Sequence, residues 1–317
     1  MADIIHRRPL GLETWVPEMA SACKTSDPAS WAYGACSGLI DCCLNQMPEL
    51  LKADAAIGST LAALLPTIMV LISAEPGDLV PQALISPHRA VATALFTVGA
   101  PAALLRQLKP VQRGRLPDDR TPNGHERSWD IHVACITSMA SYRHVATKLF
   151  ADVCILSLAA TMLHQAWRVN VSTVVPWKCE CPLLVFLWPL SCIFWLGFSV
   201  LLLLAMTEKI EFQNVSLGAS TTWLRVFTFP YAIGRASKEN QNYCIRITAR
   251  MPSDGRLSMV ANWRVYDLVT GAAAAAVYIY ATFILSGSMF LGAVSAVRFT
   301  SLVSSLHVVV RIISGIV

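Results

Sequence analysis

The amino-acid sequence predicts an all-α fold, a polytopic transmembrane helix bundle of about six spans (five to six). Hydrophobic residues make up 55% of the 317 residues, charged residues make up 14%, and the mean hydropathy is +0.52. Uncharged runs of 16 to 30 residues alternate with charged connections, two of which hold most of the arginine and lysine. Because about 20 apolar residues cross a bilayer as a helix, this alternation is typical of spans and loops.

Six apolar runs are the predicted spans. The first and the fourth are the clearest, since they contain 20 and 26 consecutive uncharged residues. Pro66 lies in the middle of the first run and should kink the helix. Trp177, Trp188 and Trp195 near the fourth run are typical of the aromatic belt at a membrane interface. The predicted spans lie near residues 55–74, 90–105, 149–167, 181–206, 268–297 and 299–317.

Two of these runs are the weak points of the layout. Residues 90–105 offer sixteen uncharged residues between Arg89 and Arg106, which suits a thin slab or a span whose arginines snorkel. Residues 299–317 contain Arg311, so they either span with that arginine at the boundary or lie in the interface. If residues 90–105 only dip into the membrane, every later loop changes sides.

The distribution of basic residues predicts the orientation. Six spans place 20 of the 25 Arg and Lys residues on one side and four on the other, with Arg311 inside a span. Cytosolic loops are rich in Arg and Lys, so both termini and the loops 106–148 and 207–267 are expected in the cytosol. The predicted domains are a cytosolic N-terminal segment, residues 1–54, and a transmembrane helix domain, residues 55–317.

Charge and cysteine spacing argue against two other classes of protein. The net charge is +5, but the basic residues flank apolar runs, so the lipid bilayer and not nucleic acid is the expected partner. The ten cysteines are scattered without the paired spacing of a zinc site. The first thirty residues lack the apolar centre of a cleaved secretory signal, so the first span is expected to target the chain.

Asp152 is the one acidic residue inside a predicted span, and an ionisable group within a membrane is a functional candidate. It follows Lys148 by four residues and His144 by eight, which places all three on one helix face. That spacing favours an interfacial ion pair with Lys148, so Asp152 is expected to be dispensable. His164 lies about 120° away around the same helix, which argues against a proton relay between the two.

The long loops hold acidic and histidine residues without a recognisable catalytic spacing. Asp118 and Asp119 resemble the aspartate-rich motif of membrane prenyltransferases, but Arg120 follows where a further carboxylate would be needed. No nucleophile elbow, Walker A loop or dinucleotide-binding motif is present in the sequence. We therefore predict no catalytic, cofactor-binding or metal residue and no cofactor. The densest set of potential metal ligands is His125, Glu126, Asp130 and His132. Their spacing matches no zinc-enzyme motif.

Other local patterns concern packing, modification and loop structure. Ser288, Gly292 and Ala296 recur every four residues in the predicted fifth span, which favours close helix packing and could support a homo-oligomer. Asn170 and Asn214 each begin a glycosylation sequon, the first in a loop predicted to be non-cytosolic. Residues 222–229 and 243–250 have alternating or β-branched character, which favours a short hairpin or an interfacial patch.

Several stretches resemble a family of multi-pass membrane proteins from filamentous fungi. They are Cys43-Leu-Asn-Gln-Met-Pro-Glu-Leu-Leu-Lys-Ala-Asp-Ala-Ala, Leu64-Leu-Pro-Thr-Ile, Val98-Gly-Ala-Pro-Ala and Trp263-Arg-Val-Tyr-Asp-Leu-Val, the last leading into a span with Gly287 and Gly292. The resemblance covers residues 39–110 and 258–317 and implies a fungal membrane protein. That family has no assigned reaction, so the resemblance transfers no catalytic residue.

Two kinds of function fit this sequence. The first is a non-enzymatic membrane protein, a scaffold or a transporter-like bundle, because paired ionisable groups are missing from the predicted spans. The second is a membrane-embedded enzyme that acts on a lipid or hydrophobic metabolite at the boundary formed by loop 106–148. Either would reside in the plasma membrane or an endomembrane, and the sequence assigns neither the ligand nor the organelle.

Overall fold

The computed structural model describes residues 23, 35–72, 76–97, 126–134, 141–173, 183–213, 242–252, 263–288 and 291–316. This part of the chain folds into eight helices and three strands. In chain order they are α1 (Ala35–Gln46), α2 (Glu49–Ile72), α3 (Pro76–Ile85), α4 (Pro87–Ala94), β1 (Glu126–Ala134), α5 (Ser141–Ser172), α6 (Leu184–Met206), β2 (Lys209–Gln213), β3 (Asn242–Arg250), α7 (Trp263–Ser286) and α8 (Ala293–Ile316).

Five of the described helices are long and apolar enough to cross a membrane. The chain is therefore an integral membrane protein with an all-α polytopic bundle, as its composition predicts. A helix satisfies its own backbone hydrogen bonds, which is what a hydrocarbon environment requires. The span segments are Glu49–Met69, Ala146–Val171, Leu184–Met206, Trp263–Ser286 and Ala293–Ser314.

Large apolar side chains cover the outside of these helices. Only 22% to 33% of the most apolar stretch of each span is buried within the protein. Phe150, Phe194, Phe283 and Val294 are between 64% and 81% exposed. In water such faces would be unfavourable, whereas lipid chains solvate them.

The predicted second span, residues 90–105, is not a continuous helix. Helix α4 begins at Pro87 and already ends at Ala94. After it, the backbone N–H groups of Phe96 and Thr97 donate to the carbonyls of Thr93 and Ala94. At 1.5 Å per residue, its eight residues rise about 12 Å, far short of a bilayer. Residues 98–105, with Gly99 and Pro101, lie outside the described part.

The predicted fifth span, residues 268–297, forms parts of two helices. Helix α7 ends at Ser286 and α8 begins at Ala293. A helix of 30 residues would be about 45 Å long, which exceeds the ~30 Å hydrocarbon layer, so a turn inside the run relieves the mismatch. Of the predicted sixth span, residues 299–317, the part up to Ile316 belongs to the second of these helices, in which Arg311 is exposed.

The two long connections between spans meet in one small antiparallel sheet of order β1-β3-β2. Strand β1 comes from the connection before α5, whereas β2 and β3 come from the connection after α6. Ser128 lies opposite Thr248, and Glu211 lies opposite Thr248 on the other side of β3. The β-branched stretch 243–250 is thus a strand, while residues 222–229 lie outside the described part.

The chain divides into two compact units. The first consists of residues 1–71, 161–189 and 279–306. In it a disulfide joins Cys23 to Cys42, the backbone N–H of Ala293 donates to Asp54 Oδ1 at 3.1 Å, and Tyr280 donates to the carbonyl of Leu184. Asp54 thereby satisfies an N–H group at the start of α8 that has no partner within its own helix.

The second unit consists of residues 72–160, 190–278 and 307–317. Its hydrophobic core brings together side chains from α3, α4, α6, β3 and α7. Trp195 is buried there and donates to the carbonyl of Thr270 at 2.9 Å, so it does not belong to an interface belt. Trp188, in the other unit, is 1% exposed and is also no belt residue. Trp177 lies outside the described part.

Asn170 lies inside helix α5 and is 8% exposed, which is unfavourable for a glycan. Its Oδ1 accepts a hydrogen bond from the backbone N–H of Phe186 at 3.1 Å, near the start of α6. The Trp167 ring packs edge-on against the Phe186 ring at 5.3 Å. The side chain therefore joins two helices, and Asn214 lies outside the described part.

Candidate functional site at Asp152

Asp152 is the centre of a buried group of charged side chains. It lies on α5, six residues inside the span segment that begins at Ala146, and is 3% exposed. Six residues of helix correspond to about 9 Å, so the carboxyl lies below the edge of the apolar stretch. A charge at this depth requires partners because isolated burial is strongly unfavourable.

Two of those partners come from the first turn of α4. Arg89 Nε donates to Asp152 Oδ1 at 2.5 Å, and His88 Nε2 lies 3.2 Å from Asp152 Oδ2. Their side chains are only 11% and 17% exposed. Charge-assisted hydrogen bonds of this kind are strong, and they offset the solvation free energy that both groups lose on burial.

The local sequence explains why α4 presents these side chains here. Ser86 is the residue before the helix and Pro87 is its first residue, a position where the missing proline N–H has no intrahelical partner to lose. His88 and Arg89 therefore fall in the first turn. Since a helix N-terminus carries partial positive charge, it also favours the nearby carboxylate.

A buried lysine also lies near Asp152 along the chain. Lys148 is 6% exposed and lies one turn before Asp152 on the same helix. The Asp152 cluster consists of His88, Arg89, Lys148 and Asp152. Arg89 Nη2 is buried and has no hydrogen-bond partner among the described residues.

The geometry does not support a serine hydrolase. Ser86 Oγ lies 3.4 Å from His88 Nε2, the same ring nitrogen that faces Asp152. In a Ser-His-Asp triad the serine and the aspartate bind different ring nitrogens, because one nitrogen takes the proton while the other is held by the acid. Ser86, His88 and Asp152 therefore do not form a proton-transfer chain.

The prediction for Asp152 was incomplete. The spacing with Lys148 favoured an interfacial pair on one helix, whereas the carboxyl is 3% exposed and is also bound by residues 63 and 64 positions away in the chain. Helical periodicity reveals only neighbours on the same helix, so these partners were missed. The general rule that an intramembrane acid is a functional candidate did draw attention to the residue. His164 is exposed on α5.

A second, partly exposed ion pair joins the sheet to α7. Arg127 on β1 donates from both terminal nitrogens to Asp267 on α7, each at 2.7 Å. Its guanidinium also lies 4.4 Å from the ring centroid of Trp263, and both carboxylate and guanidinium are about one-third exposed. A bidentate pair stacked on an aromatic ring fixes orientation, so this contact is structural.

Metal ligands do not converge in the part of the chain for which positions are given. No group of three or more His, Cys, Asp or Glu side chains lies close enough there to hold an ion. Glu126, Asp130 and His132 lie on β1. Asp118, Asp119 and His125 lie outside the described residues.

Comparison with known proteins found no matching family model, no similar curated protein and no similar solved structure. The function of the Asp152 cluster is therefore inferred from its own chemistry.

Proposed function

We propose that the protein is a non-enzymatic, transporter-like membrane bundle whose working site is the buried cluster around Asp152. The observation that carries this proposal is the pairing of an intramembrane carboxylate with Arg89 and His88 on a short helix that does not cross the membrane. Charged groups within spans are rare and typically line the path of a solute or ion. Short or interrupted helices at such depth commonly surround transport sites.

A pure scaffold is the weaker alternative. Replacing a buried ion pair by apolar residues of similar volume is often neutral or stabilising, so packing alone gives little reason for one. The partly exposed pair of Arg127 and Asp267 already joins the sheet to α7. The charges at Asp152 are better explained by a ligand.

The second candidate function is an enzyme acting on a lipid or hydrophobic metabolite. The observation that favours it is the His88 ring beside Asp152, since a histidine held by a carboxylate can act as a general base. Ser86 is not positioned as the nucleophile for such a base, because Ser86 Oγ and Asp152 face the same ring nitrogen of His88. The resemblance to filamentous fungal membrane proteins is likewise a proposal and favours neither function.

We propose further that the N-terminal segment is not cytosolic. With the five described spans as the crossings, the segment before α2 and the end of α8 would lie on opposite faces, and the shared sheet supports a common face for both long connections. Residues 73–140 and 207–262 each hold seven Arg and Lys, whereas residues 1–48 hold three and residues 173–183 hold one. The excess of positive charge in cytosolic loops supports placing the long connections in the cytosol.

The disulfide between Cys23 and Cys42 supports the same orientation independently. Disulfides persist in oxidising compartments and are reduced in the cytosol. The neighbouring Cys43 is a free thiol whose pKa is raised by burial, so little of it is the thiolate that would attack the disulfide. A lumenal or extracellular N-terminal segment fits both the disulfide and the low thiolate content of the neighbouring Cys43.

Complementation of a strain lacking the gene tests the proposed working site. Asp152→Asn should fail to restore the wild-type metabolite profile, whereas Asp41→Asn, which changes an exposed aspartate on α1, should restore it. A lost transport step redistributes a metabolite between cells and medium, while a lost reaction changes its total amount. Full restoration by Asp152→Asn would reject the site.

A second variant separates loss of function from loss of folding. Asp152→Asn leaves the Arg89 charge buried without its partner, which can destabilise by about 3–5 kcal/mol. Arg89→Gln combined with Asp152→Asn removes both charges and should restore abundance. The double variant should still fail to complement, and complementation by it would contradict the proposal.

A further inference from the structure

We propose that the Asp152 cluster binds an anionic group of its ligand, a phosphate or a carboxylate, through Arg89. This inference rests on the proposed function of the cluster as the working site. It names the ligand class by the one donor of Arg89 that is buried without a partner among the described residues, Nη2.

The donor inventory favours an anion. Asp152 engages Nε of Arg89 with one oxygen and faces His88 with the other. Nη2 of Arg89 is buried without a partner in the described structure, although a guanidinium is a planar fork suited to phosphate and carboxylate. A buried charged donor without an acceptor is unfavourable, and a bound oxyanion would satisfy it.

Two sources could supply that anion, a soluble phosphate or carboxylate and the headgroup of an anionic lipid. The cluster lies about 9 Å along α5 from the start of its span segment, on the face of the two long connections. Both sources can approach from that face. The shared chemistry is the oxyanion, and the experiment distinguishes where it comes from.

The experiment uses the full chain in nanodiscs of zwitterionic phosphatidylcholine. Its melting temperature is measured against inorganic phosphate, with chloride at matched ionic strength as the control, and again with part of the lipid replaced by phosphatidylglycerol. A ligand that binds only the folded state stabilises it, so we expect a saturable rise of a few degrees with one of the two probes. Phosphate alone indicates a soluble anion, and phosphatidylglycerol alone indicates a lipid headgroup.

Variants assign any such rise to this cluster. It should disappear in Arg89→Gln combined with Asp152→Asn and persist in Arg298→Gln, which removes an exposed arginine of α8. No rise with either probe, or an equal rise in the double variant, would overturn the inference. If Asp152→Asn still abolishes complementation in that case, the ligand class is wrong and the working site stands.

Discussion

Gly58 and Gly197 are both helical glycines within spans, but their surroundings are opposite. A Cβ on Gly58 would overlap the carbonyl oxygen of Leu291 and lie 2.8 Å from its carbonyl carbon. A Cβ on Gly197 would meet nothing within 4 Å. Gly58 thus permits a close backbone approach between α2 and the residues just before α8, which no larger residue allows.

We therefore predict that Gly58→Ala destabilises the protein and Gly197→Ala does not. The first forces backbone apart, an overpacking change that typically costs about 1–3 kcal/mol. The second replaces a helical glycine where space is free, so stability should be unchanged or slightly raised. Melting of both variants in one detergent, relative to the wild type, is the measurement. Equal melting temperatures for the two variants would contradict the packing described here.

The small residues around Leu291 show what a repeat in the sequence can and cannot reveal. Ser288, Gly292 and Ala296 were predicted to line one helix face, but the chain leaves α7 at Ser286 and enters α8 at Ala293. Close packing does occur there, against Gly58. Ser288 and Ala296 are buried within the chain itself. A homo-oligomer through this region remains a prediction. The single helical face that suggested it is divided between α7 and α8.

At the scale of elements, the apolar runs predicted the approximate positions of the membrane helices. They predicted the first and last residues of those helices less well. Helix α2 starts at Glu49 and includes Lys52 and Asp54, which precede the uncharged run that predicted the first span at residues 55–74. Asp54 accepts the N–H of Ala293, and Lys52 donates to Glu49 at 2.8 Å. Charged residues can extend a helix beyond its apolar run when caps and pairs hold them, and such partners are invisible to a composition window.

The sheet was the least predictable element. Residues 126–134 were interpreted as a loop with metal-ligand character, but they form β1. Its partner β3 lies more than 100 residues later in the chain, and Trp129 packs edge-on against Trp263 at 5.7 Å. Pairing between strands so distant in sequence depends on tertiary contacts that local propensity does not encode.

The register of this sheet predicts a specific cross-link. Ser128→Cys with Thr248→Cys should form a disulfide in oxidised membranes, because the two residues lie directly opposite each other on β1 and β3. Cβ atoms of opposed residues in an antiparallel pair lie about 4.5–5.5 Å apart, close enough for a disulfide to form with small adjustments. The chain is then cleaved between the two strands. A disulfide keeps the two fragments together, which is seen as a mobility change on non-reducing gels.

The matched control shifts the register by one residue. Ser128→Cys with Ile247→Cys should not cross-link, since Ile247 is buried and points to the opposite face of the sheet. Efficient linkage of the shifted pair, or none of the opposed pair, would contradict the pairing of the two long connections.

At the scale of the whole molecule, one short helix changes the orientation. The prediction of six spans counted residues 90–105 as a crossing and placed both termini in the cytosol, whereas the described α4 ends at Ala94. In the orientation proposed above, with the five described spans as the crossings, the basic connections still share one face and the N-terminal segment lies on the other. Hydropathy could not separate the two layouts because sixteen uncharged residues suit both a thin span and a buried non-spanning segment.

This orientation also determines where the Asp152 cluster can be reached. The cluster lies in the half of α5 nearer to its start, and α5 is the helix that follows the first long connection. A cytosolic connection therefore places the site at the cytosolic side of the bundle, and a ligand would enter from the cytosol. An inverted chain would open the same site to the lumen or the exterior.

Cysteine accessibility in sealed vesicles with the cytosolic face outward tests this most directly. Cys23 and Cys42 are retained as the disulfide, the other eight cysteines are replaced, and a single cysteine is introduced as Asn45→Cys on α1 or Ser128→Cys on β1. Both positions are exposed in the structure. An impermeant maleimide should label Ser128→Cys at once and Asn45→Cys only after detergent. Labelling of Asn45→Cys in intact vesicles would contradict five crossings with a non-cytosolic N-terminal segment.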